Sequence, residues 1–158
     1  ISGGEMDPEM FKVISEFRIP YILMHMHGSP ETMQKDPISA NAVTEVMKFF
    51  GEKIRLLQAN GVNDIIIDPG FGFGKTNEMN FQLLKNLRYF ESLNCPILVG
   101  MSRKSMVTKV LNTKADLALN GTTVLNTIAL MNGASILRVH DAVEASEVRT
   151  LVMKYLAV

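Results

Sequence analysis

Three scarcities narrow this sequence before any motif is read. The 158 residues include a single cysteine, Cys95, which excludes an internal disulfide and suits a reducing compartment. The 16 basic and 16 acidic residues cancel, so there is no basic field to draw nucleic acid. No apolar run approaches the roughly 18 to 20 residues needed to cross a bilayer. An initiator methionine is also lacking. The chain opens at Ile1 with "ISGG", which reads like the middle of something, so a fragment is expected.

What is there is an ordinary globular composition, 47% hydrophobic and 20% charged, enough for one domain over residues 1–158 with a sizeable core. Four short apolar runs read as strands: Tyr21 to His25, Asp64 to Asp68, Pro96 to Gly100 and Ser135 to Val139. They lack polar alternation, as strands covered on both faces do. Helical segments separate them. Asp36-Pro37 supplies an N-cap and a first-turn proline for a helix reaching about Gln58, closed near Gly61. Thr76 can cap a helix through Phe90, and another covers Leu117 to Met131. Asp141 and Glu144 have capping-box spacing for a last helix over Ala142 to Leu156.

This βα repeat without a linker fits either a doubly wound sheet or part of a (β/α)₈ barrel. A full barrel takes about 250 residues, so this chain holds roughly half of one. Its opening "ISGGEMDPEM" resembles the tail of a preceding strand and a loop into a helix.

Polar residues gather at the C-terminal end of every strand. His25 ends the first and Asp68 the second; Ser102, Arg103 and Lys104 follow the third; Arg138, His140 and Asp141 close the fourth. That is the ligand side of α/β sheets, barrel or open. Ser102 is a plausible N-cap, which would put Arg103, Lys104 and Ser105 in a first helical turn. Cations there oppose the helix dipole, a conflict that an anionic ligand removes; the bland reading is two solvated side chains. Arg138 and His140, at i and i+2, project to one side and could hold a phosphate or pyrophosphate, or Arg138 could simply pair with a surface acid. Asp141 reads as a helix cap rather than a catalyst. Asp68 could accept adjacent N–H donors of a ligand or satisfy loop amides.

The stretch "DPGFGFGKT" (Asp68 to Thr76) imitates a nucleotide-binding P-loop but is one residue short, because only three residues separate Gly70 from Gly74. Phe71 and Phe73 between glycines suit a mobile loop that lays an aromatic face on a flat substrate, with Lys75 solvated. "HMH" (His25, His27) raises a zinc alternative, weakened by the chain's total of 3 histidines.

Together, "LMHMHGSPETMQ" (Leu23 to Gln34), "DPGFGFGKTNEMN" (Asp68 to Asn80), "GMSRKS" (Gly100 to Ser105) and "RVHDAVEA" (Arg138 to Ala145) resemble one family, dihydropteroate synthase, in order and spacing. The resemblance implies strands five to eight of a (β/α)₈ TIM barrel, the C-terminal half. It implies a cytoplasmic homodimeric transferase of folate biosynthesis, a sulfonamide target. That enzyme joins 6-hydroxymethyl-7,8-dihydropterin pyrophosphate to p-aminobenzoate, giving 7,8-dihydropteroate and pyrophosphate. It assigns Asp68 to the pterin N–H groups, Lys104 to the pterin carbonyl and ring nitrogen, and Arg138 to stacking on the pterin. Arg138 and His140 would hold pyrophosphate; Ser105 would meet the aminobenzoate carboxylate, with Phe73 against its ring; Met24 or Met26 would floor the pterin. Lys104, Arg138 and His140 would be the catalytic cations. The family's Mg²⁺ would be held by residues that precede Ile1, so no metal ligand is expected in this chain, and alone it is expected to be nearly inactive. The rivals are a non-enzymatic or methyl-transfer-related pterin-binding module, which needs neither "SRKS" nor "RVHD", and a P-loop-like nucleotide binder.

Overall fold

A computed structural model describes residues 3–4, 6–28, 33, 38 and 41–158. Four parallel strands, β1 (Tyr21–Met24), β2 (Ile65–Asp68), β3 (Leu98–Val99) and β4 (Ile136–Leu137), alternate with helices α1 (Met10–Phe17), α2 (Ala42–Ala59), α3 (Asn77–Lys85), α4 (Ser105–Thr108), α5 (Leu119–Met131) and α6 (Ala142–Leu156). Tyr21 faces Ile65 and Met24 faces Asp68 across the first ladder. Leu98 faces Ile136 across the other, and a parallel bridge between Ile67 and Ile97 joins the two. The spatial order is therefore the chain order. Each βα crossover returns the chain beside the strand it has just left, as sequential strands usually do.

The helices cover one face of these strands. Along α2, Ala42, Val46, Phe50, Ile54 and Leu57 are buried, an apolar stripe at helical spacing. Phe50 meets the edge of Phe90 with ring centroids 5.8 Å apart, and both belong to one core with Leu23, Ile67, Leu83 and Leu87. Burying a ring such as Phe50 contributes about 1.5–3 kcal/mol. The opposite face is thinly covered. Ile22 is 47% exposed beside the fully buried Leu23, and its ladder partner Ile66 is half-buried between buried Ile65 and Ile67. Because side chains alternate along a strand, Ile22 leads to Met24 and Ile66 to Asp68 on this open face.

Several expected boundaries move. The expected cap at Asp36-Pro37 lies outside the described residues; α2 starts at Ala42, with Asn41 Oδ1 accepting the Val43 and Thr44 amides at 3.0 and 3.3 Å. The Thr76 cap is present, its hydroxyl accepting from the Met79 amide at 3.3 Å. That helix stops at Lys85 and tightens into a 3₁₀ segment over Leu87–Leu93, a common end to a helix. The expected start at Leu117 falls in a 3₁₀ turn, Ala115–Leu117, ahead of α5. The last helix has the bounds expected, but Asp141 makes no side-chain cap bond. Among the described residues, no helix is long and apolar enough to cross a membrane.

Candidate active site

The C-terminal ends of β2, β3 and β4 bring together a buried carboxylate and a set of cations. Asp68 is 3% exposed and accepts the Gly70 amide at 2.8 Å. Burial pushes its carboxyl up from the ordinary range, while the Gly70 N–H, Arg138, Lys104 and Lys75 pull it down, in that order. A carboxylate surrounded in this way is an acceptor held ready for donors. Of the two sequence readings of Asp68, the structure shows the loop-amide one, at Gly70; the same carboxyl also faces the site's cations.

Lys104 donates to the Phe71 carbonyl at 2.5 Å, and its Nζ lies 4.6 Å from the centroid of the Phe73 ring, within cation–π range. Burial lowers its pKa to about 8, opposed by Asp68 and assisted by Arg138. Arg138 follows β4 and lies across Gly100, where an added Cβ would sit 3.0 Å from its Nε and one terminal nitrogen. A side chain at position 100 would press on the guanidinium, which would have to give by a few tenths of an ångström. Ser102 is buried and accepts from the His140 amide at 3.3 Å, and its Oγ is 2.9 Å from His140 Nδ1. Gly100, Ser102, Lys104, Arg138, Val139 and His140 line a cleft of about 250 Å³. With three nitrogen donors and one hydroxyl on its walls, the cleft suits an anion.

The expected helical turn at Ser102–Ser105 is corrected. Lys104 occupies the N-cap position, α4 starts at Ser105, and Ser102 caps nothing. Arg103 takes a left-handed backbone, φ 57°, with its amide on Thr122 Oγ1 at 3.1 Å. Its guanidinium pairs with Asp141, Nε to Oδ2 at 3.2 Å, and that bond holds the Asp141 carboxyl below its ordinary range. So Arg103 is neutralised by the residue expected to cap α6, and the dipole conflict belongs to Lys104 alone.

Lys75, expected in solvent, is 6% exposed. Its ammonium lies 3.0 Å from the Gly70 carbonyl, 2.9 Å from that of Phe73 and 2.9 Å from His25 Nδ1. Burial lowers its pKa to about 7, with Asp68 opposing. The lysine of the P-loop lookalike is thus bound by the loop's own carbonyls rather than held out for a phosphate. His25 is buried too, and burial first, then Lys75 and His27, lower its pKa to about 3. One ring nitrogen of the "HMH" pair is thereby occupied, and among the described residues no group of three or more His, Cys, Asp or Glu could hold a metal ion. Asn80, which sequence reading passed over, accepts the Gly72 amide at 2.8 Å and donates to the Thr76 carbonyl at 2.7 Å. Gly70 has φ +67°, and an added Cβ would meet the His25 carbonyl oxygen at 1.8 Å. Phe71 is fully buried, so of the two loop phenylalanines only half-buried Phe73 is placed to meet a ligand.

Of the remaining expected residues, Met24 is buried beside Asp68 in the ladder and Met26 is half-buried beyond the strand end. Ser105 is exposed at the start of α4. A family model described as "Pterin binding enzyme" matches residues 1–140. The chain belongs to that family. Within the pterin-binding family its relatives include dihydropteroate synthase of Escherichia coli (strain K12), 40% identical over 148 residues, which are 92% of this chain and 52% of the relative. A bifunctional dihydropteroate synthase/dihydropteroate reductase of Helicobacter pylori is 40% identical over 139 residues, 88% of this chain and 37% of that protein. Among solved structures, the Yersinia pestis dihydropteroate synthase with a sulfonamide drug complex superposes with a TM-score of 0.92 at 38% identity, covering 96% of this chain and 56% of that one. The Xanthomonas albilineans dihydropteroate synthase with 4-aminobenzoic acid gives 0.88 at 32% identity, covering 96% and 55%. The α/β fold is therefore that of dihydropteroate synthase structures, and the chain spans about half the length of the curated Escherichia coli relative it matches.

Proposed function

We propose that this chain is the C-terminal half, strands five to eight, of a dihydropteroate synthase barrel and carries that enzyme's pterin and pyrophosphate contacts. The observation that carries the reading is the buried Asp68 carboxylate facing Lys104 and Arg138 from adjacent strand ends. A flat heterocycle with adjacent N–H donors and a carbonyl fits that pair of opposite charges. The cleft lined by Lys104, Arg138 and His140 offers the nitrogen donors that a pyrophosphate leaving group needs.

In the reaction, the bond between the pterin methylene carbon and the pyrophosphate oxygen breaks, and the electron pair leaves with the oxygen. Arg138 and His140 stabilise that growing negative charge, as preorganised donors do. Asp68 holds the pterin through its N–H groups and supports the cationic carbon left behind. Phe73 lies against the ring of p-aminobenzoate, Ser105 meets its carboxylate, and Met24 or Met26 floors the pterin. The arylamine nitrogen forms the new C–N bond and sheds a proton. No protein nucleophile is required.

The Mg²⁺ of the family is not fitted by the residues present. A hard divalent cation takes oxygen ligands, whereas the cleft is walled mainly by the nitrogen groups of Lys104, Arg138 and His140. The family's homodimer and cytoplasmic setting carry over as part of the same reading. The half-sheet supports the expectation that the chain alone turns over little substrate.

Calorimetric titration with the pterin pyrophosphate is the test. Binding by this chain that falls by about 10- to 100-fold in Asp68→Asn, the range of one charged hydrogen bond, is the expected result. Binding that Asp68→Asn leaves unchanged would remove Asp68 from the pterin site. The P-loop reading predicts the opposite selectivity, ATP bound and pterin ignored, and the occupied Lys75 speaks against it.

A further inference from the structure

Lys75 is a buried cation for which the reaction has no use. Charged lysines are almost never buried unless paired, and this one makes no ion pair within the distance of a salt bridge among the described residues. Instead it sits among three acceptors: the carbonyls of Gly70 and Phe73 and the Nδ1 of His25. An ammonium has three N–H donors and no lone pair, so three acceptors satisfy it fully. Two of them are the carbonyls of one short loop, and the third lies 50 residues away in sequence at the end of β1. Asp68, two residues before Gly70, adds its charge in favour of the ammonium. His25 itself is braced edge-on by Phe49, ring centroids 4.9 Å apart.

We propose that Lys75 is a positioning residue, a three-point ammonium clamp that fastens the loop Gly70–Phe73 to His25 and so sets where Phe73 stands over Lys104. The loop between those carbonyls is short. Its internal bond from the Phe73 amide to the Gly70 carbonyl is 3.0 Å long, and both carbonyls end on the same ammonium. Fastening it fixes the Phe73 ring 4.6 Å from Lys104 Nζ and keeps the Phe71 carbonyl, the acceptor for Lys104, in place. Lys75 touches no reacting atom. It acts on ligands through Phe73 and Lys104, and that consequence rests on the function proposed above, whereas the clamp itself does not. The clamp also dictates a tautomer: with Nδ1 accepting from Lys75, the neutral His25 ring carries its proton on Nε2.

Three measurements on this chain test the clamp. In the unsubstituted protein at about pH 6, below the lysine's range, ¹⁵N shifts of the His25 ring are expected to show Nδ1 unprotonated and Nε2 protonated. A proton on Nδ1 would overturn the proposal. In Lys75→Met, exchange of the Phe73 amide should accelerate by on the order of tenfold or more, one hydrogen bond to a charged group. The ε-methylene protons of Lys104 should lose the ring-current shift of Phe73. The Asn80 amide of α3, bonded to Thr76 at 3.1 Å, should keep its protection and so report an intact fold. Unchanged Phe73 exchange with unchanged Lys104 shifts sinks the clamp. A titration with 6-hydroxymethylpterin separates the two readings. A chain with the Nε2–H tautomer and the released loop that takes up no pterin supports the clamp and counts against the assigned ligand.

Discussion

Lys104 stands between a carboxylate and a guanidinium, and burial weakens its charge more than either neighbour does. A lysine whose folded pKa lies near 8 instead of 10.5 binds fewer protons folded than unfolded between those values. Stability therefore rises with pH across that window, because unfolding must take protons up. Lys75 acts in the same direction from about 7. Ligand binding has the opposite slope. A pterin carbonyl or a phosphate oxygen needs the ammonium as donor, so affinity for the pterin pyrophosphate should decline above about pH 8 while the melting temperature holds or climbs. Calorimetry and thermal melts across the same buffers check both slopes. Lys104→Met should bind weakly at every pH and lose the decline. A wild-type affinity that is flat through this range would show that Lys104 does not meet the ligand as a cation.

At the scale of elements, capping decides where helices begin, and only some of it can be read from sequence. The long helix starts where Asn41 accepts two amides, so Asn41→Ala should lower stability by about 1 kcal/mol, with a range of 0.5–2. That is measurable by urea denaturation, and no change would mean the first turn finds other acceptors. The strand positions were legible because "YILMH" and "DIIID" are apolar runs of strand length, and α6 because Asp141 and Glu144 have capping-box spacing, although Asp141 makes no side-chain cap bond. The turn after β3 was not. Ser102 has the chemistry of an N-cap, but a left-handed Arg103 inserts a turn before the helix, and nothing in "SRKS" signals a positive φ at arginine. Lys75 was misread for a related reason. Lysine is ordinarily exposed, and two of its three acceptors are backbone carbonyls, which every residue offers and no motif marks. The polar strand ends, by contrast, were readable as a set: Asp68, Lys104, Arg138 and His140 emerge from three neighbouring strands because parallel strands must all end on the same side.

At the scale of the whole molecule, the four parallel strands among the described residues form an open wall in chain order. Ile22 and Ile66 line its uncovered face, where the barrel reading puts the packed interior. A second apolar surface lies on α6, where Val143, Leu151 and Tyr155 are 69%, 72% and 64% exposed. Spaced by multiples of four residues, they form one stripe, beside the buried Ala145, Val148 and Val152. Stripes of this kind, left uncovered, mark interaction surfaces. A homodimer formed through α6 would cover the stripe; closure of the barrel would cover the wall. The two are separable. Sedimentation at micromolar concentrations should show self-association. Leu151→Glu should weaken it by about tenfold or more if the helix stripe is the contact, since a buried leucine contributes roughly 1.5–3 kcal/mol. Ile22→Glu should weaken it instead if the open wall pairs with a second copy. A chain that stays monomeric throughout would leave both surfaces without a partner and remove the dimer from the proposed function.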